Sequence, residues 1–586
     1  MTRPRFAPGL LLLVSACLVA GPLAAEPAWR MLKTPRYTVL SQLQENSTRA
    51  WAADFDQFID SIGGSLMNIN PALLPPLTVV LMARSKDFDP YKPPRPNGKV
   101  AKNIEGYFYR TDGWGVIGLA EHADNEETRR TIFHESVHWL MSADRSPQPR
   151  WFSEGIAELF STFSPHFDKV DWGHPMEYHV LLLRQAGLMP MKDFLAQDNS
   201  VFDRDDHTGQ YYAQSWALMH FLLVSGHPER REKLLRYIAS YRTKSADESF
   251  KDAFGGDYAA LQKELKDYVD QPRMGYMITP RKPAAPQGEI TAAPPLLVEL
   301  ALGRLALSSA DKALAGRHAD RALEMSPSEP AGHEIKAYIA LRDDARELAQ
   351  AEAERALSAG SRDPEMFILD GDALGTRDAA DAGAQARRRV EMYENAINLS
   401  PHILETYERL AGALLAVDKP TDEDAKFLEV GRRLFPQQGF IQIGLAQVAY
   451  RQGRHDDALR QIDKALASDM LGGQRNVGLS LHDYWIGEIL QEQVHEFMSK
   501  RQYAEARAAL DRGEAQLFDD DRKRYVRELR QSVELQELVQ QADTAARGKN
   551  PAAARPLFEK LLARSDLPSD LRQYAQRALE SLKRAK

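Results

Sequence analysis

Five consecutive residues, His134-Glu135-Ser136-Val137-His138, set two imidazoles four positions apart with a carboxylate between them. On a helix, positions i and i+4 share one face a turn apart, so both rings can reach one ion at about 2.0 to 2.1 Å. Glu135 is rotated off that line by one residue. It does not join the rings as a ligand, but it can reach an adjacent water as a general base. The plainer reading is a surface helix with two solvated histidines. Ile132, Phe133, Val137, Trp139 and Leu140 argue against it, because they make the helix largely buried and burying two unpartnered histidines is costly.

A catalytic zinc needs a third protein ligand and an open fourth position. The candidate is Glu154, in Trp151-Phe152-Ser153-Glu154-Gly155-Ile156-Ala157-Glu158, just after a turn at Pro147 to Pro149. A second helix folding back on the first would present Glu154 to the ion; the alternative is an ordinary solvated carboxylate. Glu158 lies one turn on, on the same face, where it could accept the free N–H of a ligand histidine and fix its tautomer. Gly155 within a helix costs about 1 kcal/mol relative to alanine, which points to close approach of another backbone.

The surrounding elements fall into three regimes. From Trp29 to about Ala120, β-rich runs (Tyr37 to Leu40, Leu77 to Met82, Gly106 to Tyr109, Val116 to Leu119) flank one amphipathic helix near Thr48 to Ile62, which predicts a small α/β layer. From Glu126 to about Asp270 the pattern is helical. Residues 271–295 carry Pro272, Pro280, Pro283, Pro286, Pro294 and Pro295 and read as a linker between a domain over 26–270 and one over 296–586. The last regime is all-α, and a small residue precedes a proline by five positions at Ala322/Pro327, Ala359/Pro364, Ala396/Pro401 and Gly431/Pro436. Gly303, Ala315 and Ala322 repeat the spacing of Ala446, Ala458 and Ala465. The period is near the roughly 34 residues of tetratricopeptide repeats, which this region resembles in degenerate form; Tyr503 and Ala506 fit that pattern only in part. A generic helical solenoid is the alternative.

Phe133 to Phe160 resembles the gluzincin metallopeptidases, specifically the bacterial peptidase-MA-like group with an HExxH helix and a Trp-x-x-Glu-Gly-x-Ala helix. The likeness extends over about residues 29–270. It implies an α+β fold, a small sheet beside a helical thermolysin-like domain, with one Zn2+ held by His134, His138 and Glu154 and with Glu135 as base. It also implies an oxyanion donor. The helix Gln210-Tyr211-Tyr212-Ala213-Gln214-Ser215 looks like the one whose N-terminal tyrosine serves this purpose, and Ser215 three positions on selects Tyr212. Tyr211 and His207 are substitutes, and the plain reading is a core tyrosine. An edge strand near Gly113 to Ala120 would pair with extended substrate. No Gly-x-Met-Glu-Asn segment for a free amino terminus is found, which favours an endopeptidase. His122, His166, His174 and His179 lack ligand spacing and read as surface or structural.

Composition bounds the rest. A net charge of −8 over 586 residues, with only Lys583 to Lys586 as a short basic tail, gives no footprint for nucleic acid. Arg3 and Arg5, apolar Leu10 to Ala20 and Leu23-Ala24-Ala25 read as a signal peptide over residues 1–25, so the chain is expected in the periplasm or secreted, with no transmembrane span after cleavage. The sole cysteine, Cys17, sits in Val14-Ser15-Ala16-Cys17 and offers a lipid anchor as the alternative. Either way the folded part has no thiol, so a metal site must use histidine and carboxylate. No phosphate-binding Gly-Lys-Ser/Thr loop or Gly-x-Ser-x-Gly elbow stands out. The expected activity is zinc-dependent hydrolysis of a protein or peptide substrate, with the repeats recruiting substrate or a partner. The alternatives are a non-catalytic exported scaffold with a structural zinc site, and hydrolysis of a non-peptide amide or ester.

Overall fold

The computed structural model describes residues 28–584 except 66–73, 95–105, 121–125, 144–147, 197–204, 243, 282–287, 310, 312, 376–380, 437, 469 and 549. The expected signal peptide and Cys17 lie outside the described residues, as does His122.

Among the described residues nine strands form two sheets: β1 (Arg30–Lys33), β2 (Thr38–Ser41), β3 (Leu77–Met82), β4 (Gly106–Arg110), β5 (Gly115–Ala120), β6 (Ser164–Pro165), β7 (Lys169–Trp172), β8 (Met277–Pro280) and β9 (Ile290–Ala292). The larger sheet has the order β4-β5-β3-β2-β1-β9, with β3 parallel to both β2 and β5 and the outer pairs antiparallel. A nearly continuous apolar strand such as Leu77–Met82 must be covered on both faces. Alternate residues do point to two different cores. Val79, Leu81, Ile117 and Leu119 pack with Phe55 and Phe58 of helix Glu45–Ser65 and with Phe133 and Val137 of helix Glu126–Met141. Val80, Met82, Val116 and Ala120 pack with Leu300, Leu305 and Ile335 from the helices that follow.

That second core departs from the expected separation of domains. The segment 271–295 supplies β8, which pairs with β7, and β9, which closes the large sheet beside β1. Its prolines lie mainly between or beyond these short strands, so the segment stitches the two regions together. The Tyr107 hydroxyl donates to the Leu305 carbonyl, and Tyr91 Oη is 2.9 Å from His318 Nε2. The edge strand also differs from expectation. The reversal at Thr111 to Trp114 places β4 outermost, and β5, read from the sequence as the edge, is enclosed between β4 and β3.

Beyond Pro294 the described chain is a run of helical hairpins whose first helices begin at Pro295, Pro330, Pro364, Leu404 and Gly439. The small residues mark tight contacts: Ala315, Ala322, Ala446, Ala458 and Ala465 are fully buried, and a Cβ on Gly303 would lie 2.9 Å from Ile335 Cδ1. The regularity then lapses into helices Gly472–Ser499 and Asp520–Arg547, each 28 residues long. Among the described residues no helix is long and apolar enough to cross a membrane.

Because sheet and array share a core, Leu305→Ala should cost about 3 kcal/mol and shift the unfolding of both regions together in a chemical denaturation series. Two separate transitions, with only the later helices affected, would contradict the shared core. Asp363 offers a second test. Burial, and then the charge of Glu334, push its carboxyl up to about 7. A folded value above the unfolded one means that folding takes up a proton, so the stability it gives is full below about pH 4 and is lost as pH rises through about 7. Asp363→Asn should therefore gain on the parent between about pH 5 and 8 in thermal midpoint; a gap independent of pH would refute this.

Candidate metal centre

The helix Glu126–Met141 is pinned to the sheet by its apolar side. Phe133 stacks on Phe58 with ring centroids 4.5 Å apart, and Trp139 Nε1 donates to the Pro75 carbonyl at 2.9 Å. This turns His134 and His138 toward helix Arg150–Ser161, which starts directly after Pro149. The helix Asp205–Leu223 packs against the second. A Cβ on Gly155 would lie 2.5 Å from the Ser215 carbonyl oxygen, so only glycine permits this approach, and Tyr212 is brought to the same site.

His134, His138 and Glu154 converge. The two Nε2 atoms are 3.3 Å apart, and Glu154 Oε2 is 3.5 Å from His134 Nε2 and 3.4 Å from His138 Nε2. One ligand atom from each lies close enough to the others to hold a metal ion. The alternative of a solvated Glu154 fails, since its side chain is 1% exposed. Its other oxygen, Oε1, meets Arg150 Nη2 at 2.8 Å. The outer ring nitrogens are engaged as well: Glu158 Oε1 lies 3.4 Å from His134 Nδ1, and Ser153 Oγ lies 3.2 Å from His138 Nδ1. Glu158 Oε2 in turn faces His179 Nε2 at 3.3 Å.

Burial opposes ionisation of both carboxyls, but the histidine rings beside them overcome it. Glu154 is held well below the usual carboxylate range by His134 and His138, and Glu158 is lowered to about 2 by His134 and His179. Burial would likewise favour neutral His134, yet Glu154 and Glu158 raise it to about 10. The cluster thus pairs two buried carboxylates with imidazole and guanidinium nitrogens.

Glu135 sits at the side of this cluster, 3.9 Å from Arg110 Nε on β4. Tyr212 lines the same cleft, of about 620 Å³, with its ring 6.2 Å from that of His134. Tyr211 is fully buried and packs on Phe194 at 5.2 Å, which separates the two tyrosines by role. The side chain of His207 lies outside the described part. Of the other histidines, His166 pairs with Asp171 at 2.9 Å and His174 stacks on Tyr276 at 4.1 Å. Sequence reasoning missed Arg150, Ser153, Arg110 and the placement of His179. Only Arg150 carried a signal, standing four residues before Glu154 on the same helix; the others act across separate elements.

Residues 129–246 match a family described as "Protein of unknown function (DUF1570)", a span that encloses all three ligand candidates and Tyr212. No curated protein matches the chain. Among solved structures it is similar to YrrB, a TPR protein described as having an unusual peptide-binding site, at 18% identity over 29% of this chain and 83% of that one, with a TM-score of 0.24. It is similar to pilF of Pseudomonas aeruginosa at 16% identity, over 40% and 97% of the respective chains and with a TM-score of 0.22. The Cut9-Hcn1 hetero-tetramer of APC/C aligns at 14% identity over 69% of each chain, with a TM-score of 0.18.

Arg150 provides a direct probe of the cluster. Arg150→Met leaves Glu154 buried with one cationic partner fewer, and should lower the stability of metal-free protein by about 2 kcal/mol. A saturating divalent metal should restore most of that loss. Equal losses in thermal midpoint with chelator and with metal would show that Arg150 does not hold the metal-binding carboxylate.

Proposed function

We propose that this chain is a zinc-dependent hydrolase that cleaves peptide bonds internally, exported from the cytoplasm and supplied with substrate or a partner by its helical array. The observation that carries the reading is the triangle formed by His134 Nε2, His138 Nε2 and Glu154 Oε2, with sides of 3.3, 3.4 and 3.5 Å. Donors about 2.0 to 2.1 Å from a tetrahedral ion stand about 3.3 to 3.4 Å from one another. Two imidazoles and one carboxylate, with no thiolate, are also the donor set of many catalytic zinc sites.

Zinc bound there would polarise a substrate carbonyl and lower the pKa of a water. The protein's own groups divide the remaining work. Glu135 takes a proton from the attacking water and passes it to the leaving amine. The Tyr212 hydroxyl donates to the oxygen that gains charge as the carbonyl becomes tetrahedral. Glu158 and Ser153 hold the imidazoles through Nδ1, and Arg150 fixes Glu154 through Oε1. β4, the outermost strand, gives an extended peptide a row of backbone groups to pair with, and its Arg110 borders Glu135.

A second reading draws on the size of the array: the chain acts as an interaction scaffold and the metal site is structural. One experiment separates the two. Glu135→Gln should keep about one zinc per chain by elemental mass spectrometry while cleavage of casein or a peptide library falls about a thousandfold. Full activity in the variant would remove Glu135 from the mechanism. A zinc-loaded parent that is inert toward peptides and small acyl esters alike would leave the scaffold.

A further inference from the structure

The cleft beside the candidate metal centre contains a cation that the proposed chemistry does not use. Arg130 stands four residues before His134, hence one turn and about 6 Å along the same helix face, and both line the cleft. Its Nε atom is buried and has no hydrogen-bond partner among the described residues. Its Nη1 atom is 3.8 Å from Glu126 Oε1, beyond hydrogen-bond length, and the Glu126 side chain is 75% exposed at the rim. The other acid on this wall, Glu158, already faces His134 and His179 through its two oxygens. A planar donor group, partly desolvated and held on its own wall only by a long ion pair to an exposed carboxylate, matches an incoming carboxylate, and desolvation strengthens such a pairing. Met176 and Thr131 line the same pocket.

Resting on the reading of the cleft as a substrate site, the geometry points to Arg130 as a specificity-determining residue that selects peptides presenting a carboxylate one helical turn from His134. The carboxylate comes either from an aspartate or glutamate side chain or from the end of the substrate chain. Its recognition is a binding step, separable from hydrolysis.

The test uses full-length, zinc-loaded Glu135→Gln protein as a silent binder and reads retention of fluorescent peptide libraries by anisotropy. Libraries with one fixed glutamate are compared with glutamine counterparts, each with a free or an amidated C-terminus. The glutamate libraries, or the free-acid ones, should bind about tenfold more tightly than their neutral partners. Adding Arg130→Gln should bring that ratio to about one without loss of zinc or of thermal midpoint, and Arg130→Lys should keep part of it. A preference carried only by the free terminus identifies the terminal carboxylate as the ligand; one carried only by fixed glutamate identifies the side chain. Peptides bound with no charge preference, or with a preference that survives Arg130→Gln, overturn the role of Arg130 and leave the hydrolase reading standing. No binding of any library by zinc-loaded protein overturns the substrate cleft itself, and this inference with it.

Discussion

A negative charge on a side chain only 1% exposed is the constraint around which this protein is arranged. Burying the Glu154 carboxylate without partners would cost several kcal/mol, far more than one contact recovers. The fold surrounds it with Arg150 on its own helix and with His134 and His138 on the neighbouring one, so each carboxylate oxygen faces positive or potentially positive nitrogen. The two helices cannot slide without stripping Glu154 of a partner. The demand for charge balance therefore fixes their register more tightly than their apolar contacts alone would, since those tolerate repacking.

The third helix is set by a different kind of contact. Gly155 follows Glu154 directly, and the missing Cβ lets the Ser215 backbone come against it. Tyr212 is therefore delivered to the cleft from a helix whose position is referred to the residue next to the buried carboxylate. Its neighbour Tyr211, rotated about 100° around the same helix, enters the core instead. A one-residue change in register would exchange the two tyrosines, which is why the close approach at Gly155 bears on chemistry as well as on packing.

Local spacing made the first half of this arrangement legible from the sequence. The i, i+4 histidines and the burial of their helix follow from periodicity, and the glycine after Glu154 signalled a close backbone. The strands β2, β3, β4 and β5 were also readable, to within a residue or two, because apolar runs bounded by turns leave few alternatives, whereas β1 and the short β6 to β9 were not. Partners contributed by other elements were not readable: Ser153 against His138, His179 behind Glu158 and Arg110 beside Glu135 depend on how helices and strands meet. The edge strand was misplaced for the same reason. Gly115–Ala120 and Gly106–Arg110 are both short β-rich runs, and only the pairing of β5 with β3 decides which one is left outermost. The proline-rich stretch misled by composition. Prolines disfavour a helix interior but not short strands, and Met277–Pro280 and Ile290–Ala292 pair with strands far away in sequence.

The ligand helices and the edge strand β4 consequently stand on different foundations. His134, His138 and Glu154 ride on helices anchored in the core beneath one face of the sheet, among Phe58, Phe133, Trp151 and Trp216. β4 and its turn are held from the opposite side by the helical array: Tyr338 meets the Trp114 ring edge-on at 5.7 Å, Arg304 lies 4.7 Å over that ring, and Asp112 pairs with His402 at 3.1 Å. At Gly113 a Cβ would fall 2.7 Å from the Asp363 carboxyl carbon, so the turn is seated directly on the array. The distance between β4 and the ligand helix, and with it the separation of Arg110 from Glu135, is thus determined jointly by two cores that meet at the sheet between them. An array of helical hairpins thus supports the edge strand beside the candidate metal centre, and that sheet is the element the two cores share.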